Sequence, residues 1–248
     1  SDQAAALTTT QISAMTTAEI RSLSSTNVSA LTTDQIVALD SNQVAALTTA
    51  QVRALETDQI AAIETADLRA MGTAQIQALA TAQVAALTTD QVQALTTSEI
   101  RALNTANVQA MTTDQVVALD SAQVGALTTG QLRALTTSQV AAIETADLAG
   151  LSTTSVRALE TDDVKALTTD QVVALSSNQI SALSTAQVRA LTTDQIAAVE
   201  THDLRSMGTS QIGVLATDQA AALTTDQVQA LTTAGIRALS TSALQAMT

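Results

Sequence analysis

An eight-residue word that repeats without insertion is the feature that most constrains how this chain can fold. Starting at Leu7 and stepping by eight, every residue through Met247 is Leu, Met, Ile or Val, which defines 31 words. We number this apolar residue zero, so that the word reads L-[T/E/S/D]-[T/S]-x-Q-[V/I/L]-x-A. A fixed period of this kind predicts a repeat architecture in which each word packs on its neighbours.

The length of the word leaves one choice of secondary structure. A continuous helix fails because eight residues rotate the apolar set by about 80° per word, which winds the stripe around the helix. A strand fails because positions zero and five have opposite parity and cannot share a face. We therefore predict an all-α fold, a solenoid of short helices with one helix for each of the 31 words.

The start of each helix has two possible positions. Position two is Thr or Ser in every word, which fits an N-cap followed by a helix over positions three to eight. Alternatively the cap lies one residue earlier, and Thr at position one and Gln at position four form a capping box, with positions zero and five as its hydrophobic staple. A helical wheel places positions two, five, eight, four and seven on the buried arc, and leaves three and six exposed.

Glutamine at position four is polar although the wheel buries it. It occupies 20 of 31 words, and a buried amide costs about 1 to 3 kcal/mol unless it is hydrogen bonded. We predict that its side-chain oxygen accepts a backbone N–H at a helix N-terminus, either its own or its neighbour's, and so ties successive words into a ladder. The alternative is a solvated glutamine that only favours helix. Most substitutes keep such an oxygen, namely Glu19, Asn27, Asp67, Glu99, Asn107, Asp147, Asp163 and Asp203. Those that lack it, and that we expect to mark looser joints, are Ser155, Gly235 and Ala243.

Composition argues against several classes of function. The chain has no Phe, Trp, Tyr, Cys or Pro and one His, which is unusual for an enzyme domain, and we expect no catalytic activity. Its net charge of −13 makes nucleic acid a poor partner, and its short apolar runs predict no membrane span. All basic residues occupy position six, towards the helix C-terminus, and all acids occupy positions one, three or four, at its N-terminus. Both placements interact favourably with the helix dipole.

A longer period lies above the words. The stretch "EIRALNTANVQAMTTDQVVALD" at 99–120 closely matches 19–40. Residues 1–248 therefore read as one continuous array that begins and stops inside larger units, and its uncapped apolar ends predict head-to-tail self-association. The predicted units are 15–94, 95–150 and 151–230, with 1–14 as the end of a preceding unit and 231–248 as the start of a further one.

One histidine is the only candidate metal ligand outside the acids. His202 lies in "ETHDLRSM" beside Glu200 and Asp203, but the equivalent word at 64–68 reads "ETADL". We therefore interpret His202 as a point variant of that word, and we predict neither a metal site nor a bound cofactor.

Other polar and glycine residues also have a structural interpretation. Asp162 and Asp163 lack the glycine-containing turn of a calcium loop. Gly72 and Gly208 show no phosphate-loop pattern, and we interpret them as helix C-termini.

Threonine rows raise the possibility of a binding face. Exposed threonines could match an ice surface or carry O-linked sugars. The threonine at position two is interpreted as a helix cap. The threonine at position one is interpreted as exposed, but charged residues replace it in several words, and a flat ice-binding plane would not tolerate those charges. The interrupting residues are Glu56, Glu64, Glu144, Glu160 and Glu200.

The words "LTTDQIVAL", "LTTDQVQAL" and "LTTDQIAAV" carry a family resemblance across the whole chain. The array resembles the Ala/Thr-rich octapeptide arrays of very large bacterial surface and secreted proteins. This resemblance implies an extracellular or cell-surface stalk, and it transfers no catalytic residue. We therefore expect a structural spacer, stalk or self-assembling filament, with a module that binds ice, glycan or protein along a threonine face as the alternative.

Overall fold

A computed structural model describes residues 2–247, in which the regular elements are short helices and there is no β-strand. Contacts divide them into two compact units, one up to Ala126 and one from Leu127 onward. The first unit contains α1 (Asp2–Ala5), α2 (Thr9–Ser13), α3 (Thr17–Ser22), α4 (Ser25–Ser29), α5 (Thr33–Val37), α6 (Ser41–Ala46), α7 (Thr49–Ala54), α8 (Thr57–Ala62), α9 (Thr65–Leu68), α10 (Thr73–Ala78), α11 (Thr81–Ala86), α12 (Thr89–Ala94), α13 (Thr97–Ala102), α14 (Thr105–Ala110), α15 (Thr113–Val117) and α16 (Ser121–Ala126).

The second unit continues the same pattern of one helix per word, with one word in the 3-10 conformation. Its elements are α17 (Thr129–Ala134), α18 (Thr137–Ala142), the 3-10 helix η1 (Asp147–Gly150), α19 (Thr153–Ala158), α20 (Thr161–Ala166), α21 (Thr169–Ala174), α22 (Ser177–Ala182), α23 (Thr185–Ala190), α24 (Thr193–Ala198), α25 (Thr201–Ser206), α26 (Thr209–Ile212), α27 (Thr217–Ala221), α28 (Thr225–Ala230), α29 (Thr233–Ala238) and α30 (Thr241–Ala246). The predicted all-α solenoid of short helices is confirmed. Helices in the described range have at most six residues, and none combines the length and apolarity that a membrane crossing requires.

Most of the described helices begin with a capping box centred on position one. In α12, Thr88 is the N-cap with extended backbone (φ −71°, ψ 160°), and its hydroxyl accepts the Gln91 N–H at 3.1 Å. The Gln91 Oε1 accepts the Thr88 N–H at 2.8 Å, and Leu95 ends the helix by returning to extended backbone. The capping-box alternative is therefore confirmed and the N-cap at position two is wrong. A glutamine can close the box only from N3, three residues after the cap.

The two glycines at position one also begin helices rather than end them. Gly72 has φ −83° and ψ 161°, and it is the N-cap of α10; Gly208 is the N-cap of α26. The Gly72 N–H donates to the Gln75 Oε1 at 2.7 Å. The interpretation of both glycines as helix C-termini is wrong, because this cap requires only a backbone N–H, which glycine supplies.

The core is narrower than the wheel predicts. In a typical word, Leu87 at position zero, Gln91 at position four and Val92 at position five are buried, and Ala94 at position seven is half-buried. Position two, represented by Thr89, is exposed, which corrects its place on the buried arc. A helix of under two turns buries only its central stripe, and position two lies at the first residue of the helix, where the chain enters from the surface.

Stacking follows a regular interval within each unit. Helix α4 packs against α7 and α7 against α10 in the first unit, while α22 packs against α25 and α27 against α30 in the second. Within each unit, helices therefore contact those three words away. Side-chain bonds described below reach the word four positions back, so that each coil holds between three and four words.

Candidate functional site

The amide of the position-four glutamine connects three parts of the chain. In Gln91, Nε2 donates to the carbonyl of Ile60 at 2.9 Å and to that of Ile63 at 2.7 Å, which lie 31 and 28 residues earlier. Its Oε1 accepts the Thr88 N–H of its own helix. One side chain therefore provides hydrogen-bond partners for backbone groups at the start of α12 and at the end of α8 (Thr57–Ala62).

The same contacts recur along both units, and we call them the glutamine ladder. The burial of glutamine and the role of its oxygen as acceptor for its own helix are confirmed. The expectation that the oxygen links different words is wrong, because the amide N–H groups make that link. Donation to the carbonyls 31 and 28 residues earlier is made by Gln35, Gln43, Gln51, Gln59, Gln75, Gln83, Gln91, Gln115, Gln123, Gln171, Gln179, Gln187, Gln195, Gln211, Gln219 and Gln227.

Short helices explain why the ladder is needed. A helix leaves its first four N–H groups and last four C=O groups without intrahelical partners, which in a six-residue helix is most of its backbone polar groups. Burying such groups unpaired costs about 1 to 3 kcal/mol each. A primary amide carries both an acceptor and two donors, so glutamine can satisfy both kinds of group at once. The ladder therefore replaces the long helix as the means of pairing the backbone.

Two aspartates at position four form a different cross-word bond. Ser41 donates its hydroxyl to the Asp67 Oδ1 at 2.5 Å, and Ser177 donates to the Asp203 Oδ1 at 2.5 Å. In each pair a serine stands at position two, 26 residues before the aspartate, where most words have threonine. The shorter carboxylate has no N–H to donate and instead accepts from this serine. The exchange of Thr for Ser at these two positions is the signal in the sequence that accompanies this bond.

Glutamate at position four keeps the box but not the ladder. The Thr16 N–H and hydroxyl both donate to the Glu19 carboxylate, at 2.7 and 2.8 Å, and together they lower the pKa of Glu19. The Thr96 N–H donates to Glu99 in the same way at 2.6 Å. A carboxylate has no hydrogen to give the carbonyls of earlier words, so these positions show that the two functions of glutamine are separable.

Asp163 is buried at position four without a serine partner. The Glu160 N–H donates to its Oδ2 at 3.2 Å. Burial raises the pKa of Asp163, the hydrogen bond from Glu160 lowers it, and the negative charges of Glu160 and Asp162 raise it further, so that the net shift is upward. This word therefore holds a carboxyl group where most words hold a neutral amide.

Three words lack an oxygen or amide of this kind at position four. The Ser155 Oγ lies 2.8 Å from the Ser152 Oγ within its own word. The N–H groups of Gly235 and Ala243 donate to the hydroxyls of Thr232 and Ser240 at 3.0 and 3.1 Å, so their caps survive. Reduced stability at these joints stays a prediction.

Basic side chains at position six lie near helix C-termini. The Arg101 Nε donates to the Ala126 carbonyl at 3.2 Å, and the Arg133 Nε donates to the Ala158 carbonyl at 3.4 Å. Arg133 also lies 3.5 Å from the Glu160 carboxylate, but both side chains are more than 60% exposed. Exposed pairs of this kind contribute little, about 0 to 1 kcal/mol. These arginines therefore act mainly as additional caps for carbonyls three words onward.

The structure brings Glu200, His202 and Asp203 close together. Their ligand atoms lie within 4.8 Å of one another. The His202 Nδ1 faces the Glu200 carboxylate at 3.3 Å, while its Nε2 faces the Asp203 Oδ1 at 3.1 Å. In this conformation each ring nitrogen therefore faces a different carboxylate.

Open grooves repeat with the array. A groove of about 610 Å³ between α3 and α6 includes Arg21 and Ala45 in its lining, and one of about 570 Å³ between α7 and α10 includes Arg53 and Gln77. The paired residues are 32 residues apart at equivalent positions of the word. These grooves are therefore a property of the stacking and not a single specialised pocket.

A family model described as the ALTTAQ repeat matches the chain eight times, at residues 5–41, 37–62, 60–97, 97–129, 116–142, 140–177, 172–201 and 196–233. A comparison with curated proteins found no match. The matched segments overlap and cover well over half of the chain. The capping boxes, the ladder and the stacked helices described above are thus the three-dimensional form of this repeat, and the chain belongs to the ALTTAQ repeat family.

Proposed function

We propose that this array is a structural spacer that forms an extracellular stalk or a self-assembling filament. The observation that carries the proposal is the glutamine ladder, which fastens the end of one helix to the start of a helix four words later. Such bonds make the length of the array a function of the number of words. The uninterrupted spacing of the words supports this, because one insertion would displace the donors from their carbonyls.

The ladder also supports head-to-tail assembly. Because each amide reaches back 28 and 31 residues, the first words of any such array carry amides without earlier carbonyls. The last words carry carbonyls without later amides. A second copy of the array offers the complementary groups with the same spacing, so that the ladder can continue from one copy into the next.

Mechanical unfolding tests the spacer role. We expect the full chain, held at both termini, to extend at lower force when Gln115 and Gln123 are both replaced by Leu, because four carbonyl bonds of the ladder are lost. The control replaces Gln77 and Gln93, which are exposed at position six, by Leu. Equal unfolding forces for the two variants would show that the ladder does not bear load.

Sedimentation equilibrium tests head-to-tail assembly. We expect an apparent mass above the 25.3 kDa of one chain, increasing with protein concentration. Gln11→Glu should weaken this association, because Glu19 shows that a glutamate preserves the capping box while it removes the amide donor. A constant mass of one chain at every concentration would contradict the proposal.

A further inference from the structure

Most hydroxyl groups at position two make no hydrogen bond within the fold, although those of Ser25, Ser41 and Ser177 donate to other words. Every word has Thr or Ser there, and among residues 2–247 this residue is the first of its helix in every word except that of Thr145, which precedes η1. Within residues 2–247 the side chain is exposed in every word except at Ser41, Ser121, Ser177 and Thr193, which are half-buried. In the same range, no threonine at this position donates or accepts a side-chain hydrogen bond, so capping does not explain the threonine.

The restriction to Thr and Ser is specific to position two. The adjacent position one makes the cap, yet it accepts Ala80, Asn104, Asp120 and Glu160 as well as threonine. The first turn of a helix favours acidic residues, so helix stability alone would admit Asp or Glu at position two. A hydrogen-bonding role would also admit Asn or Asp, as it does at position one. The property that Thr and Ser share, and that these residues lack, is an aliphatic hydroxyl that can form a covalent bond through oxygen.

We propose that the exposed position-two hydroxyls are acceptors for O-linked glycosylation. The hydroxyl oxygen attacks the anomeric carbon of a nucleotide-activated sugar. A glycosidic C–O bond forms, the bond from that carbon to phosphate breaks, the nucleoside diphosphate leaves, and the hydroxyl proton passes to a base of the transferase. A neutral sugar suits this site better than phosphate, which would add about −1.5 to −2 charges per word to a chain that already carries −13.

The structure supplies internal controls for this assignment. Ser41 and Ser177 are half-buried, and their hydroxyls donate to the carboxylates of Asp67 and Asp203. These two serines should remain unmodified. Thr88 should also remain unmodified, because its oxygen accepts the Gln91 N–H as part of the cap.

Peptide mapping by mass spectrometry of the chain isolated from the cells that produce it tests the proposal. We expect sugar-sized mass increments on position-two threonines, including Thr89, and none on Ser41 or Ser177. Thr89→Asn, made in the same cells, should lose one increment without a change in melting temperature. Thr88→Asn should keep that increment, because asparagine already caps α14 at Asn104.

Three outcomes would overturn the assignment. They are an unmodified chain from the producing cells, phosphoryl-sized increments, and sugars distributed equally over positions one and two. The ladder and the spacer role do not depend on the sugars, so a negative result here would leave the unfolding and sedimentation tests unaffected.

Discussion

Gln91→Leu is expected to destabilise the array by about 2 to 4 kcal/mol, although the two side chains are similar in size. The substitution removes the acceptor for the Thr88 N–H and the donor to the Ile60 and Ile63 carbonyls, all at a residue that is 1% exposed. Backbone groups left buried without partners account for the cost. Urea unfolding followed by circular dichroism measures the total loss. Hydrogen exchange at the Thr88 amide measures the broken box directly and should become faster.

Gln93→Leu is the matched control for this experiment. It makes the same chemical change two residues away, at an exposed position six. Its effect should stay within about 0.5 kcal/mol, as for most surface substitutions. A loss below about 1 kcal/mol for Gln91→Leu, or one equal to that of the control, would mean that the amide contributes no net stability in the ladder.

Asp163→Gln is expected to stabilise the protein at neutral pH by about 1 to 3 kcal/mol. The glutamine would keep the bond from the Glu160 N–H and would place an amide 31 and 28 residues after Leu132 and Leu135, whose carbonyls are the expected acceptors. It would also remove a buried charge, because this aspartate is only 4% exposed. Urea unfolding at pH 7 measures the gain.

The pH dependence of this gain follows from the raised pKa of Asp163. Burial, the largest cause, raises the pKa of the folded state above its ordinary value of 3.8. The folded protein therefore binds the proton more tightly than the unfolded chain, and this contribution to stability is complete below pH 3.8 and is lost as pH rises through the folded pKa. The advantage of Asp163→Gln should accordingly be larger at pH 7 than at pH 3.

Asp162→Asn removes the same charge from the exposed neighbouring position and serves as the control. Its effect should be small at both pH values, since exposed charges interact weakly through solvent. If both substitutions stabilise the protein equally, the gain reflects the net charge of the chain and not the missing ladder bonds.

Several features of the fold are local and could be read from the word itself. The capping box joins residues three positions apart, as Thr88 and Gln91 show, so eight residues are enough to specify where a helix begins. The burial of position four and the need of its oxygen for a backbone N–H follow from the same short segment. The type of secondary structure and the count of one helix per word were therefore predictable from the sequence.

The ladder partners depended on tertiary structure, because they lie about four words apart. Whether the Gln91 amide meets the carbonyls of Ile60 and Ile63 depends on how many words complete a coil. That number is set by the backbone angles at the junctions between helices, such as Leu95 with φ −62° and ψ 137°, and by how closely helices three words apart pack. Small changes in these angles accumulate over a coil, and the spacing of the word does not encode them.

The role of position two was likewise decided only by the three-dimensional arrangement. Its invariance in the sequence suggested a cap, but the box leaves Thr89 one residue inside the helix and exposed to solvent. Where a serine replaces threonine, as at Ser41, its partner Asp67 lies 26 residues onward in another helix. The sequence by itself determined that a hydroxyl stands in every word. Only packing between distant words decided which hydroxyls are engaged inside the fold and which face outward.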